Sequence, residues 1–245
     1  MEKLRILSLN CQRGYQADLG DFLRSTLARD YYDFILLQEA TEPVLSALVD
    51  SEAYRSLVIV SGETKRPLCI VYRESYKPLK SDSISFDDGN PFVGMLCGMF
   101  ETERGEISVG SLHLHAGIRP RLRLSEIQKA VDFIKRFSGS APFMFGGDCN
   151  FGVPLELGRA CRAISSDARC ITRGIGPTLD SRYVEPSPHL TNKVSQVLKR
   201  FGLGLRFSVD HVFVSTIGPW QSRRWICRIL PDRISDHSPV EACLE

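Results

Sequence analysis

The sequence predicts an α/β fold in which stacked β-sheets are covered by helices. Three observations carry this: about ten short β-rich apolar runs, only a few stretches with helical periodicity, and no linker, charge block or repeat dividing the chain. The 245 residues are 43% hydrophobic and 24% charged, enough for a sizeable core in a single domain spanning 1–245.

In chain order, the strand-like runs are 4–9, 34–37, 57–60, 68–72, 95–101, 107–114, 143–145, 209–214, 224–230 and 240–244. Leu19, Phe22, Leu23 and Leu27 lie on one helical face, as do Val44, Leu45, Leu48 and Val49 behind a Thr41 N-cap. Leu124, Ile127, Val131 and Ile134 mark a third helix, and Val194, Val197, Leu198 and Phe201 a fourth over 192–201, stopped by Gly202.

Lys and Arg total 31 against 29 Asp and Glu, a net +2, so bulk charge does not imply a nucleic-acid or membrane partner. The amino terminus lacks a secretion signal and no apolar run approaches a membrane span of about 20 residues, so a cytoplasmic protein is expected. The eight cysteines show no CxxC zinc spacing and read as reduced thiols. No obligate protein partner is indicated.

The polar residues of interest fall where strands run out. Asn10, Gln38-Glu39, His113 and Asp148-Cys149-Asn150 follow strand runs, while Asp210-His211 and Ser235-Asp236-His237 open them. Such a set suits phosphate ester hydrolysis. A hard cation such as Mg²⁺ takes oxygen ligands, which Glu39 and one or more aspartates supply. Asp148 and Asn150, two apart in extended chain, point to one side, where the carboxylate can activate water and the amide can donate to a phosphoryl oxygen. Asp210 is the natural partner to fix the tautomer of His237. His115 competes with His113, being two residues on in the same strand run. Cys149 is expected to be packing rather than a nucleophile, and His211 to face away from the site.

Arg119, Arg121 and Arg123 follow His113 closely and form a candidate bidentate phosphate clamp, or else a solvated helix lead-in. Thr178, in a Gly-Pro-Thr turn, is a candidate phosphate contact or a turn former.

The motifs LSLN (7–10), LLQE (36–39), SLHL (111–114), GGDCN (146–150), VDHVFVS (209–215) and SDHSPV (235–240) resemble, in order and spacing, those of the endonuclease/exonuclease/phosphatase superfamily. The resemblance implies a four-layer α/β/β/α sandwich of two mixed sheets flanked by helices. It also implies a metal held chiefly by Glu39, with Asn10 nearby and Asp236 as a further ligand. Asp148 and Asn150 would then handle water and phosphate, His113 would stabilise or protonate the phosphorane, and His237 would pair with Asp210. Gln12 and His113 stand where apurinic endonucleases usually carry an acid and a Tyr, which places the chain with the His-bearing branch. The expectation is a Mg²⁺-dependent phosphodiesterase, with Mn²⁺ as a substitute, acting on nucleic acid. A monoesterase for a small phosphate ester is the alternative, and a catalytically silent binding module the third.

Overall fold

The computed structural model describes the chain except residues 1–3, 12–16, 30–31, 50–51, 59–66, 88–92, 118, 152–153, 181–205, 208, 219, 221–222, 231–234 and 236. The helix expected over 192–201, Gln12 and Asp236 therefore lie outside the described residues.

Two six-stranded mixed sheets stack face to face. The first runs in the order β13 (Trp225–Ile229), β14 (Val240–Leu244), β1 (Arg5–Asn10), β2 (Phe34–Gln38), β4 (Cys69–Arg73) and β3 (Tyr54–Val58). The second runs β5 (Lys77–Ser85), β6 (Gly94–Thr102), β7 (Gly105–His113), β8 (Phe143–Asp148), β12 (Asp210–Ser215) and β9 (Ala168–Cys170). A two-residue pair, β10 (Leu179–Asp180) with β11 (Arg206–Phe207), stands apart from both.

Among the described strand pairs only β1–β2 and β7–β8 are parallel, and a helix makes each crossover. These are α1 (Ala17–Ala28) and α3 (Pro120–Ser138). Three apolar layers result. Leu19, Leu23 and Leu27 of α1 and Val44 and Leu48 of α2 (Glu42–Val49) pack on the outer face of the first sheet. Ile6, Phe34, Phe100 and Val212 fill the space between sheets. Ile127, Val131 and Ile134 of α3, with Leu157 and Ala160 of α4 (Pro154–Ala163), cover the second sheet. The order is α/β/β/α, as expected.

Local chemistry explains α3 well. Pro120 stands in its first turn, Ile127, Ala130, Val131 and Ile134 are buried on one stripe, and Gly139 ends it at φ 62° with its N–H on the Lys135 carbonyl at 3.1 Å. Among the described residues no helix is long and apolar enough to cross a membrane.

All ten expected strands form, with ends shifted by a few residues. Missed from sequence were β5, α4 and the short β9 to β11. β5 is an edge strand whose side chains are nearly all exposed, so no apolar alternation marks it. In α4, Gly158 and a buried Glu156 interrupt the apolar stripe.

Candidate active site

Strand register builds the site. His113 lies opposite Asp148 in the parallel β7–β8 pair, and Asp210 lies opposite Asp148 in the antiparallel β8–β12 pair. Three functional side chains therefore stand in one row at one end of the second sheet, about 4.8 Å apart in strand spacing. The ends of β1 and β2 face this row, since Asn10 is opposite Gln38 and the Asn10 side-chain nitrogen donates to Asp148 Oδ2 at 3.0 Å. Gln38 donates across the sheets to the Ser111 hydroxyl at 3.1 Å.

Asp148 is the hub. Its Oδ1 accepts the Asn150 backbone N–H at 2.9 Å, and its Oδ2 lies 3.6 Å from His113 Nε2 and 3.8 Å from His237 Nε2. Burial pushes its carboxyl up, and Asp210 adds to this against the pull of His237, His113 and the Asn150 N–H. Asp210 differs. Burial alone would raise it, but the charge and hydrogen bond of His237, with Thr178 assisting, hold it below the usual carboxylate range. His237 Nδ1–H donates to Asp210 Oδ2 at 2.8 Å, which directs Nε2 toward Asp148.

Two motif residues carry backbone strain. Glu39 at φ 52° and Asn150 at φ 51° are the non-glycine residues with positive φ among those described. The left-handed region disfavours L-residues, and such strain collects at functional sites. The Asn150 amide gives one hydrogen to the Leu114 carbonyl at 2.9 Å. Its other N–H remains for a substrate oxygen.

The described contacts thus bring together Asn10, His113, Asp148, Asn150, Asp210 and His237, while Glu39 is placed next to them by β2. Asp236 lies outside the described residues. His113 reaches the row and His115 does not, because β7 ends at His113 and alternation stops there. The His115 ring nitrogens instead meet Glu126 and, at 2.9 Å, Asp87. His211 is fully buried, with Nδ1 at 3.2 Å from Thr172 Oγ1, as its opposite facing requires. Burial, with Asp148 and Asp210 nearby, raises the Cys149 thiol well above its ordinary value, so it is no nucleophile.

Thr178 and Arg123 differ from expectation. Thr178 is buried and its hydroxyl accepts the N–H groups of Val209 and Asp210 at 3.1 Å each, so it secures the start of β12 rather than a phosphate. Its carbonyl also accepts the Ser238 N–H at 2.8 Å, tying the Asp210 and His237 segments together. Arg123 is withdrawn from the clamp: its guanidinium forms a two-pronged ion pair with buried Glu156 at 2.7 and 3.1 Å. Arg119 and Arg121 are exposed at the start of α3. A residue given no role from sequence, Ser235, donates to the Asn10 carbonyl at 2.7 Å and accepts the His237 N–H at 2.9 Å, linking β1 to the His237 segment. Its place beside His237 in SDHSPV was the available signal.

Arg123→Met is expected to cost about 3–5 kcal/mol by urea unfolding, because it strands the Glu156 carboxylate. Arg123→Met with Glu156→Leu should recover most of that loss. A single variant of full stability with raised KM would restore Arg123 to substrate binding.

No protein-family model and no curated protein matches the chain. Solved structures do. TDP2 from D. rerio, complexed with a single-strand DNA product, is 17% identical at a TM-score of 0.78, covering 100% of both chains. An endonuclease/exonuclease/phosphatase family protein from Bacteroides thetaiotaomicron is 16% identical at 0.72, covering 99% of this chain and 97% of that one. The mannosyl-6-phosphatase Bt3783 of B. thetaiotaomicron VPI-5482 is 14% identical at 0.72, covering 99% of each. With its two mixed sheets between helical layers and its six motifs at their facing ends, the chain has the fold of the endonuclease/exonuclease/phosphatase superfamily.

Proposed function

We propose that this protein is a divalent-metal-dependent phosphoesterase that cleaves phosphodiesters, with nucleic acid as substrate. One observation carries the reading: a buried carboxylate, Asp148, is ringed by Asn10, His113, Asn150 and an Asp210-oriented His237. The DNA product bound to the D. rerio TDP2 structure supports the choice of substrate.

The donor set fits a hard cation. Asp148 and Asp210 lie close in a buried site, and Asp210 Oδ1 is a buried oxygen without a hydrogen-bond partner. Donor atoms of Asp148, Asp210 and His237 fall within 4.8 Å of one another, but the direct His237–Asp210 hydrogen bond accounts for that closeness without an ion. Glu39 is therefore the principal metal ligand, with the Asn10 side-chain oxygen beside it and Asp236 as a further carboxylate. When bound, Mg²⁺ or Mn²⁺ supplies Lewis-acid neutralisation of charge on the phosphate.

The chain's own groups do the rest. Asp148, its basicity strengthened by burial, takes a proton from the attacking water. Asn150, at its strained left-handed position, gives its second amide hydrogen to a phosphoryl oxygen, and His113 and His237 present Nε2 toward the developing charge. Asp210 keeps the His237 ring in one tautomer through the cycle.

A monoesterase reading has its own support in the likeness to mannosyl-6-phosphatase and in exposed Arg119 and Arg121, which suit a terminal phosphate. A panel of bis-p-nitrophenyl phosphate, p-nitrophenyl phosphate, single- and double-stranded DNA and RNA decides. Diester and DNA cleavage should appear with Mg²⁺, vanish with chelator and return on readdition. Release of phosphate from monoesters alone would move the enzyme to the alternative, and no turnover on any substrate would leave a silent binding module.

A further inference from the structure

Away from the site, α4 and β9 meet across the turn 164–167, closed by Ala168 N–H donating to the Ile164 carbonyl at 2.8 Å. Cys161 sits in the last turn of α4 and Cys170 at the end of β9, both packed against the same apolar cluster. Their side chains hydrogen-bond to each other. Both are half-buried, whereas Cys11, Cys69, Cys97 and Cys149 are buried. We propose that Cys161 and Cys170 form a reversible oxidation site for hydroperoxides, closing to a disulfide that links α4 to β9.

The pair is chemically unequal. The hydrogen bond from Cys170, with Arg173 and Arg162 nearby, brings the Cys161 thiol down to about 7 against the effect of burial. The same hydrogen bond, then burial, raises Cys170 well above its ordinary value. Cys161 is the attacking thiolate and Cys170 the resolving thiol. The Cys161 sulfur attacks a peroxide oxygen, the O–O bond breaks, water leaves, and Cys161 becomes a sulfenic acid. Cys170 then loses its proton and attacks that sulfur. The S–O bond breaks and a second water leaves, so two thiols are oxidised as one hydrogen peroxide is reduced to two waters.

The remaining half-buried cysteines, Cys227 and Cys243, lie on paired strands but do not share this arrangement. Cys227 stands opposite Ala242, so alternation puts Cys243 on the other sheet face. Nor do any three cysteines among the described residues bring their sulfurs together as metal ligands.

The test is stoichiometric hydrogen peroxide on the reduced full-length protein at neutral pH, read by intact mass and non-reducing peptide mapping. The expected result is loss of two hydrogens, a Cys161–Cys170 cross-linked peptide, and recovery with dithiothreitol. Cys170→Ser should stop at a Cys161 sulfenic acid trapped by dimedone. Cys161→Ser should slow peroxide consumption by about tenfold or more. A cross-link between other cysteines, or unchanged reactivity in Cys161→Ser, would overturn the proposal. The wild-type peptide map decides even if a variant folds poorly, and none of these readouts depends on phosphoesterase activity.

Discussion

Asp148→Asn is expected to lower kcat/KM on a phosphodiester by about 10³-fold or more while leaving thermal stability unchanged or raised. The amide keeps the shape of the carboxylate and its neighbours Asn10 and Asn150, but it cannot take the water proton. Stability moves the other way because burial and Asp210 disfavour the charged form of Asp148 in the folded state. A carboxyl raised on folding binds its proton more tightly in the native than in the unfolded chain, so native stability falls as pH climbs past the unfolded value. Wild type should accordingly trail the variant at neutral pH and draw level on acidification, as Asp148 becomes protonated. Thermal melts of both proteins across pH, beside steady-state kinetics with Mg²⁺ present, give the comparison. Activity within a fewfold of wild type would remove Asp148 from the chemistry. A large stability loss would show instead that its charge is compensated in the fold.

The layers of the fold were legible where one face of an element is buried. Ile127, Val131 and Ile134 announce α3 because its other side meets water, and the runs 34–37 and 107–114 announce central strands. β5 was not legible, since Lys77, Lys80 and Asp82 lie on an exposed edge and its pairing with β6 comes through backbone bonds that any sequence can make. The site shows the same division. Asp210 and His237 are 27 positions apart, yet residue type and position at strand openings were enough to pair them. Arg123 was misjudged because its partner Glu156 lies on α4, a helix the periodicity did not reveal. Thr178 was read as a surface turn, but its role depends on the β12 backbone folding back over it.

Gly147→Ala is expected to destabilise the protein by about 4 kcal/mol, lowering Tm by roughly 10 °C in a chain of this size. A Cβ at this position would stand 1.9 Å from the Leu112 carbonyl oxygen and 2.8 Å from its carbon, and φ is 149°. Both are backbone atoms of the paired strand β7, with Leu112 directly opposite Gly147, so no side chain can swing away to make room. β8 would have to move off β7. Two glycines serve as controls for this clash. Gly105, at φ 91°, has nothing within 4 Å of an added Cβ, so Gly105→Ala carries only the conformational cost of about 1 kcal/mol. Gly110 would meet the flexible end of Met95 at 2.2 Å, a clash that a rotamer change relieves. The expected order of loss by urea unfolding is Gly147→Ala, then Gly110→Ala, then Gly105→Ala. The first substitution also bears on catalysis, because the register that places Leu112 opposite Gly147 is the one that sets His113 opposite Asp148. A Gly147→Ala protein as stable as Gly105→Ala would mean that β7 and β8 are not paired in this register, and the row of His113, Asp148 and Asp210 would dissolve with it.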